Sequence, residues 1–411
     1  MLNKRPHILS ALKVSNFKFF WIGLIAQVLG QHMYQFTLGW LAFDISGSQA
    51  QLSFIQLCSF IPQFLLTLVG GALADRFDPK RLIQIVQSIS FISVILIAFI
   101  TTLGDLELWH LACAAFVFGA VNGIDEPSRV SFFPRLLEKT QLPSGVPLVS
   151  MAFGTSRIVA PSIAGFTIAS TGASRVFLLT AMGLSIMVTM LFLIKTSSSP
   201  SKSKGKIISN IFDSMKYLQR NEIFSKIILV AILNATLAMG YIHVLPVIAK
   251  ILLQVDASGL GLLASAVGLG AVGGLFSYPW LQARTSPRNI MVYALSAYCI
   301  ALIGVAISTF FWVSFVLLII VGLGQANYLT SIQVTLQTHV QEEYRGRVMA
   351  IFSLVWSLVY LSGFILNFTG SLIGARFALV LNAGIVLSYV WLSMSKSKAL
   401  KNIHNLSTKE I

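Results

Sequence analysis

The chain has 411 residues, of which 56% are hydrophobic and only 10% are charged. A soluble domain carries about 25% charged residues, so this composition excludes an ordinary water-soluble globular protein and indicates a membrane protein. The net charge of +15 does not indicate nucleic-acid binding, because no polar stretch is long enough to form a basic, water-facing surface.

Cysteine usage excludes two further classes. Cys58, Cys113 and Cys299 lie in apolar runs, and their odd number argues against a disulfide framework. No pair has the spacing of metal ligands, so we expect no metal site. At the N-terminus, basic residues precede a long apolar run without a small-residue cleavage site, and we interpret residues 1–20 as a retained cytoplasmic lead-in.

Segments with the length and composition of transmembrane helices, which need about 20 apolar residues, recur along the whole chain. They are residues 19–43, 52–74, 82–103, 107–136, 145–170, 174–195, 224–251, 258–282, 289–309, 311–337, 346–372 and 375–394. The sequence therefore predicts an all-α integral membrane protein with twelve transmembrane helices in two pseudo-symmetric six-helix bundles. Residues 1–195 form the first bundle, 196–222 a Ser/Lys-rich linker, and 223–411 the second bundle with a short basic tail.

The distribution of basic residues sets the orientation. Most of the 29 Lys and Arg residues fall on one predicted side, and only Arg175, Lys250 and Arg376 fall near the other. Basic residues concentrate in cytoplasmic loops. Both termini and the linker are therefore predicted to be cytoplasmic, in a multi-pass protein of the cytoplasmic (inner) membrane.

Span 1 carries a polar face, because Gln27, Gln31 and Gln35 recur at every fourth position and His32 borders them. Amides facing lipid would lack partners, so this face predicts a water-filled cavity or a contact with another helix. The same two alternatives apply to the other cavity candidates, which are Asn234, His243, Gln325 and Asn327. For His32, a satisfied hydrogen-bonding role is the alternative to titration.

The sequence GGALADRFDPKRL, residues 70–82, forms the predicted cytoplasmic loop between spans 2 and 3. Its charges alone are compatible with a solvated loop. The pattern of Gly71, Asp75 and Arg76 followed by Lys80 and Arg81 resembles the loop signature of major facilitator transporters. The resemblance implies that Gly71 permits close helix packing and that the Asp-Arg unit helps to close the cytoplasmic gate. It departs from the signature where Asp-Pro replaces a loop glycine, which predicts a turn made by Asp-Pro chemistry.

Span 4 and span 5 contain the charges that lie deepest in the predicted membrane. Asp125, Glu126 and Arg129 share one turn of span 4, and Arg157 lies in span 5. Charges at this depth are costly and are functional candidates. We hypothesise that Asp125 or Glu126 carries a coupling proton, with Arg129 and Arg157 adjusting its proton affinity. The alternative is a structural ion pair between Asp125 and Arg129, which are spaced i, i+4.

Pro161 follows Ala160 in span 5 and resembles the Gly-Pro antiporter motif of exporters, with alanine in place of glycine. The resemblance implies a bend used in gating, because proline breaks the backbone ladder locally. An ordinary kinked transmembrane helix is the alternative.

The second half echoes the first at a nearly constant offset. Gly119-Ala-Val-Asn122 matches Gly324-Gln-Ala-Asn327, and Gly70-Gly71 matches Gly273-Gly274. Arg345, Gly346 and Arg347 precede span 11 as a second-half loop. With the stretches around Asp44, Asp125 and Arg157, these residues resemble the exporter subfamily that includes the enterobactin exporter and macrolide efflux pumps. The family places a substrate between two such halves.

No catalytic motif or ATP-binding P-loop occurs, so we expect neither an enzyme nor a bound cofactor. We predict a secondary active exporter of a small amphipathic molecule such as a drug, siderophore or secreted metabolite. Protons and the lipid bilayer are its other predicted partners, and a monomer is compatible with the sequence. A proton-coupled uptake symporter, or a non-transporting membrane partner protein with the same fold, is the alternative.

Overall fold

The computed structural model describes residues 10–138, 140–195, 221–341 and 358–394, with single positions at 344, 348, 349, 351, 352 and 355; within helices, the side chains at 68, 72 and 75 are not described. All regular elements in these ranges are helical. The α-helices are α1 (Ser15–Ser46), α2 (Gln49–Arg76), α3 (Pro79–Leu103), α4 (Leu108–Phe132), α5 (Leu142–Thr171), α6 (Ala173–Leu193), α7 (Glu222–Leu237), α8 (Tyr241–Val247), α9 (Ala257–Arg284), α10 (Pro287–Ile307), α11 (Phe311–His339), α12 (Leu358–Ile373) and α13 (Ala375–Tyr389).

Ten helical segments in the described ranges are long and apolar enough to cross a membrane. They correspond to every predicted span except the first and the eleventh. Helix α1 has 32 residues but is too polar to qualify, since its glutamines and His32 dilute the apolar residues. Helix α12 is described over 16 residues only. A multi-pass, all-helical membrane protein is confirmed, whereas the number twelve stays a prediction.

Predicted span 7, residues 224–251, corresponds to one membrane-crossing segment, Glu222–Leu252, but the helix is interrupted within it. Helix α7 ends at Leu237, and α8 begins at Tyr241. A π-helical turn, Ile248–Leu252, follows α8. Both the Ala238 and Met239 amides donate to the carbonyl oxygen of Asn234, which closes the end of α7.

The cytoplasmic turn before α3 is made by Asp78 and Pro79, as the Asp-Pro sequence predicts. Asp78 is the N-cap and accepts a 3.0 Å hydrogen bond from the Lys80 amide, and Pro79 occupies the first turn. The same arrangement opens α10, where Ser286 is the N-cap before Pro287. Both sequences place proline where a helix has no need of its missing N–H.

The basic residue after each proline donates a hydrogen bond to a carbonyl oxygen at the C-terminal end of another helical segment. Lys80 donates its ammonium to the carbonyl oxygen of Ile194, the residue after α6, at 2.7 Å. Arg288 donates its Nε to the carbonyl oxygen of Met394 at 3.2 Å. The positive charge is favourable at a helix C-terminus, because the last carbonyl groups lack partners in the helix.

The chain divides into two compact units. The first contains Met1–Gly47, Phe54–Ser203 and Asp256–Gly261, and the second contains Ser48–Ser53, Lys204–Val255 and Leu262–Ile411. In the first unit, α1 packs against α5 and α6, and α3 packs against α4 and α6. In the second, α10 packs against α11 and α13, and α12 packs against α7 and α13.

An apolar cluster anchors α1 in the first unit. It includes Phe17, Phe20, Leu24 and Val28, which lie on one helical face and are at most 1% exposed. The ring of Phe20 meets that of Phe132 edge to face, with centroids 5.8 Å apart. Because lipid is as apolar as these side chains, such packing rather than water exclusion stabilises the bundle. It also fixes the rotation of α1 and hence the direction of its polar face.

Candidate functional site

A buried ion pair lies near the end of α4. The Nε atom of Arg129 is 2.6 Å from Oδ2 of Asp125, one helical turn earlier. Asp125 is 0% exposed and Arg129 is 7% exposed. The guanidinium of Arg129 also lies over the ring of Phe153 in α5, 5.3 Å from its centroid, where a cation is attracted to the aromatic face.

Helix α1 supplies a third member of this cluster. Gln27, also 0% exposed, donates its Nε2 to Oδ2 of Asp125 at 2.9 Å. The same carboxylate oxygen therefore receives a hydrogen bond from α1 and an ion pair from its own helix. We call Gln27, Asp125 and Arg129 the charge cluster.

A second polar contact joins α1 and α4 one turn away. Gln31 donates to Oδ1 of Asn122 at 3.3 Å, and Asn122 donates its own amide to the carbonyl oxygen of Phe118 at 2.8 Å. Because that bond fixes the amide of Asn122, its oxygen is presented to α1. Asn122 belongs to the repeated sequence noted above, but no argument from sequence singled it out as a partner of Gln31.

Two glycines of α4 allow it to pack closely against α2. A Cβ added to Gly123 would lie 2.8 Å from the carbonyl oxygen of Gln63 in α2. A Cβ at Gly119 would collide with the carbonyl oxygen of Ser59, also in α2. Only glycine permits such close backbone approach. This contact fixes the position of α4, in which Asn122 and Asp125 contact Gln31 and Gln27 of α1.

His32 lies on α1 beside the charge cluster. Its Nδ1 is 2.8 Å from the carbonyl oxygen of Val28. A carbonyl oxygen only accepts hydrogen bonds, so Nδ1 carries the hydrogen of this bond. In the neutral ring, Nε2 is then the nitrogen that can accept a hydrogen bond or a proton. Arg129 and Arg157 are both near enough to His32 to interact with it electrostatically.

The expected arrangement of two acids and two guanidiniums is present only in part. Glu126 has an exposed side chain and forms no ion pair with any described residue. Arg157 is half-buried on α5, and it interacts electrostatically with His32, which lies beside the charge cluster. Gln35 is half-buried on α1, one turn beyond Gln31. Asp125 is therefore the buried acid of this cluster.

The cavity candidates of the second unit lie in two different surroundings. Asn234 is 0% exposed, and its side chain lies beside the Tyr328 hydroxyl of α11. Gln325 is also buried, at 9% exposed. Asn327 instead donates its amide to Ser277 of α9 at 3.1 Å. The interhelical alternative therefore describes Asn327 better than a cavity position does.

The break between α7 and α8 is a polar feature that sequence reasoning missed. At this break, the backbone amide of Gly240 donates a hydrogen bond to the hydroxyl of Ser362 in α12 at 2.8 Å. Asn367, also in α12, donates to the carbonyl oxygen of His243 at 3.2 Å. The ring of His243 lies 5.4 Å from that of Tyr360. Gly240 and Pro246 were the available signals, although both residues also occur in continuous transmembrane helices.

The two glycines before the gate loop have different surroundings. A Cβ at Gly71 would meet no described atom within 4 Å, and the close-packing role expected there stays a prediction. Gly70 packs closely against α4, since a Cβ at Gly70 would lie 2.5 Å from the carbonyl oxygen of Gly123. The helix phase turns the first glycine toward α4 and the second away from it.

The other gate-loop candidates remain predictions. Arg76 and Arg81 are exposed, and Lys80 is held at the end of α6 as described above. The side chain of Asp75 lies outside the described part of the chain. The second-half loop residues also lie outside the described residues; these are Arg345, Gly346 and Arg347.

Pro161 is buried in α5, which continues without interruption from Leu142 to Thr171. A Cβ at Gly261 would come within 2.6 Å of the Pro161 carbonyl oxygen, so the two backbones are in close contact. Gly261 belongs to the same compact unit. The use of this proline as a gating bend stays a prediction.

Asp256, just before α9 and outside the spans, provides a contrast with the buried acid. It is hydrogen-bonded by the Ser258 hydroxyl at 2.6 Å and by the Gly259 amide at 3.0 Å. These bonds favour the ionised form and lower the pKa of Asp256. An acid of this kind stays charged at physiological pH. Among the described residues, no group of three or more His, Cys, Asp and Glu side chains could hold a metal ion.

Sequence comparison identifies relatives along nearly the whole chain. The staphyloferrin A transporter of Staphylococcus aureus is 21% identical over 93% of this chain and 97% of its own. Macrolide efflux protein A of Streptococcus pyogenes is 22% identical over 84% and 87%. The enterobactin exporter of Citrobacter koseri is 22% identical over 76% and 72%.

Solved transporter structures have the same fold. The nucleoside transporter NupG gives a TM-score of 0.71 at 14% identity, covering 93% of this chain and 100% of its own. A bacterial homologue of the human lysosomal transporter Spinster gives 0.72 at 13% identity, covering 95% and 97%. At such identities these similarities establish fold alone.

The family model described as transmembrane secretion effector matches residues 7–409. This match confirms the resemblance to major facilitator exporters that the loop and span motifs indicated. The chain belongs to the transmembrane secretion effector family of major facilitator transporters, and it is a multi-pass membrane transporter rather than an enzyme.

Proposed function

We propose that this transporter exports a small, amphipathic organic molecule from the cytoplasm by alternating access, driven by proton entry. The observation that carries the proposal is the buried ion pair of Asp125 and Arg129, held by Gln27. Ionisable side chains within a membrane span are rare and expensive, and they mark ion or substrate pathways.

The chemistry of the pair supports a coupling role. When Asp125 is ionised, its charge is balanced by Arg129 at 2.6 Å. A proton on Asp125 would remove the negative charge and leave a buried guanidinium without its counter-charge. Because an uncompensated buried charge is strongly unfavourable, such protonation would favour any conformation in which Arg129 gains another partner or water. Proton binding and conformation are then linked.

The exported substrate is proposed from the relatives. Their names include two siderophore transporters and a macrolide efflux protein. We propose a substrate of this size and character for this chain. Gln31, His32 and Gln35 of α1 remain cavity candidates, together with Asn234, His243 and Gln325 in the second unit.

The topology is part of the same proposal. Residues 1–195 and 223–411 are proposed as the two bundles, residues 196–222 as a cytoplasmic linker, and both termini as cytoplasmic. Arg76 and Arg81, exposed at the cytoplasmic end of α2 and the start of α3, are then available for the gate. Lys80 is a weaker gate candidate because it caps α6.

The test is transport in inverted membrane vesicles with an imposed proton gradient, acid inside. We expect substrate to accumulate inside, and accumulation to collapse when a protonophore dissipates the gradient. A panel of siderophores and macrolides supplies the substrates. Accumulation that ignores the gradient for every transported compound would remove the antiport proposal, and gradient-driven depletion would indicate uptake symport.

A further inference from the structure

Two buried oxygens in the charge cluster accept no hydrogen bond from any residue that the structure describes. Both donors converge on Oδ2 of Asp125: Nε2 of Gln27 at 2.9 Å and Nε of Arg129 at 2.6 Å. The other carboxylate oxygen, Oδ1 of Asp125, has no partner among the described residues, and neither has Oε1 of Gln27. Both residues are 0% exposed.

The orientation of the Gln27 amide follows from its neighbour. Reversing the amide would place Oε1 against a carboxylate oxygen, which is acceptor-only when ionised. The observed orientation, with Nε2 donating, is therefore the one compatible with ionised Asp125. It leaves an amide oxygen and a carboxylate oxygen, each without a donor, in adjacent functional groups. A buried acceptor without a donor carries a penalty of about 1–3 kcal/mol.

A carboxamide and a protonated carboxyl group are complementary. The amide N–H donates to one carboxyl oxygen, and the acid O–H donates to the amide oxygen, which closes a ring of two hydrogen bonds. The first of these bonds exists between Gln27 and Asp125. The second requires a hydrogen on Oδ1, and both Oδ1 and Oε1 are without another partner among the described residues.

We infer that Gln27 is a positioning residue that directs the proton to Oδ1 of Asp125 and stabilises the protonated acid as a two-bond acid–amide pair. This inference rests on the proposed role of Asp125 as the proton carrier. Hydronium supplies the proton: one of its O–H bonds breaks and leaves water, an O–H bond forms with an Oδ1 lone pair, and no covalent bond of the protein breaks. The charge on Asp125 changes from −1 to 0, and Arg129 loses its counter-ion.

Other charged and titratable groups surround the cluster and have to be separated from it experimentally. Glu126 lies on α4 itself, His32 on α1 and Arg157 on α5. A pH profile alone would not distinguish their contributions. The carbonyl stretch of a protonated carboxyl group does, since only Asp and Glu side chains produce it and substitution identifies the residue.

The experiment is infrared difference spectroscopy of the purified transporter in lipid, recorded between high and low pH. We expect a protonated carboxyl band that disappears in Asp125→Asn and persists in Glu126→Gln. In Gln27→Leu the band shifts to higher frequency, because hydrogen bonding weakens the C=O bond. Gln31→Leu is the matched control, since Gln31 is one turn away on α1 and contacts Asn122 instead; its band stays at the wild-type frequency.

Gln27→Met repeats the test with an unbranched side chain if the leucine variant does not fold. An Asp125 band that has the same frequency in wild type and in the Gln27 variants would overturn the inference and leave the proposed coupling role intact. A titrating band that survives Asp125→Asn would overturn both, because the proton would then reside elsewhere.

Discussion

Helices α4 and α11 have matching positions in the two sequence repeats, and their local structures agree in one detail. Asn122 and Asn327 each donate a side-chain amide to the carbonyl oxygen four residues earlier, at 2.8 Å and 3.0 Å. Their outer contacts differ. The oxygen of Asn122 accepts from Gln31 of α1, whereas the amide of Asn327 reaches Ser277 of α9.

The two helices differ in their charged residues. The positions in α11 that correspond to Asp125 and Arg129 at the same offset are Thr330 and Val334. The scaffold is therefore repeated, while a buried ion pair occurs, among the described residues, in the first unit alone. This difference indicates that packing is shared by the two helices, whereas the charges proposed to carry the proton occur in α4.

The largest effect should follow from breaking the ion pair. Asp125→Ala leaves Arg129 buried without a counter-charge, which should destabilise the protein by about 3–5 kcal/mol. The matched change in the other helix, Asn327→Ala, removes neutral hydrogen bonds and should cost about 1 kcal/mol. Thermal unfolding of the purified variants in detergent measures both.

The double variant Asp125→Leu/Arg129→Leu sharpens this prediction. Replacing both members of a buried pair by apolar residues is often neutral for stability. We expect it to unfold near the wild-type temperature while its proton-driven transport is lost. Equal destabilisation by Asp125→Ala and Asn327→Ala would contradict the distinction between the two helices.

Substitution of closely packed glycines by alanine should have the next largest effect on stability. A Cβ at Gly70 would lie 2.5 Å from the Gly123 carbonyl oxygen, and one at Gly274 would lie 2.8 Å from that of Leu323. A Cβ at Gly71 would meet no described atom within 4 Å, and one at Gly273 would meet the Cδ1 atom of Leu323 at an ordinary contact distance of 4.0 Å. Gly70→Ala and Gly274→Ala should each cost about 1–3 kcal/mol through overpacking.

The controls are Gly71→Ala and Gly273→Ala, which should change stability by less than about 0.5 kcal/mol in the same unfolding assay. If either control were as damaging as its neighbour, the packing assignment would be wrong. The close contacts also show that the repeat aligns Gly70 with Gly274, one position away from the pairing of the Gly-Gly dipeptides in the sequence.

At the break between α7 and α8 in the second unit, we expect substitution to have a smaller effect on stability. Helix α1 is continuous over Ser15–Ser46, whereas its counterpart is interrupted before Tyr241. Ser362→Ala removes the acceptor of the Gly240 amide and should lower stability by about 1 kcal/mol. Ser371→Ala, an exposed change on the same helix, should be silent. Equal unfolding temperatures for both variants would indicate that the break needs no support from α12.

The smallest effect concerns the helix ends. Lys80→Gln and Arg288→Gln should each lower the free energy of unfolding by about 0.3–1 kcal/mol, because each removes a cation from a helix C-terminus. Arg81→Gln is the control, since Arg81 is exposed. A loss of stability in Arg81→Gln equal to that in Lys80→Gln would point to general loop charge rather than to the cap.

Much of the fold could be predicted from the sequence, since apolar length and basic loops report directly on a membrane environment. The spacing of Asp125 and Arg129 placed them on one face, and Asp78-Pro79 indicated a helix start. Those signals are local. They depend on helix periodicity and turn chemistry, which a single segment of sequence contains.

The rest depended on contacts between distant segments. Whether Gly70 or Gly71 packs against α4 is decided by helix rotation, which the sequence of α2 alone does not determine. Gln27 and Asn327 are both amides in polar stretches, yet one meets a buried acid and the other a serine on a neighbouring helix. Amide chemistry is the same in both cases, so only the tertiary structure separates a candidate coupling residue from an interhelical contact.

The most direct test of the central claim compares Asp125→Asn with Asp256→Asn in inverted vesicles carrying the same proton gradient. Asp256 is an acid outside the spans whose capping position also suits asparagine. We predict that Asp125→Asn abolishes gradient-driven accumulation of substrate while Asp256→Asn accumulates it at the wild-type level. Wild-type accumulation by Asp125→Asn would contradict the account.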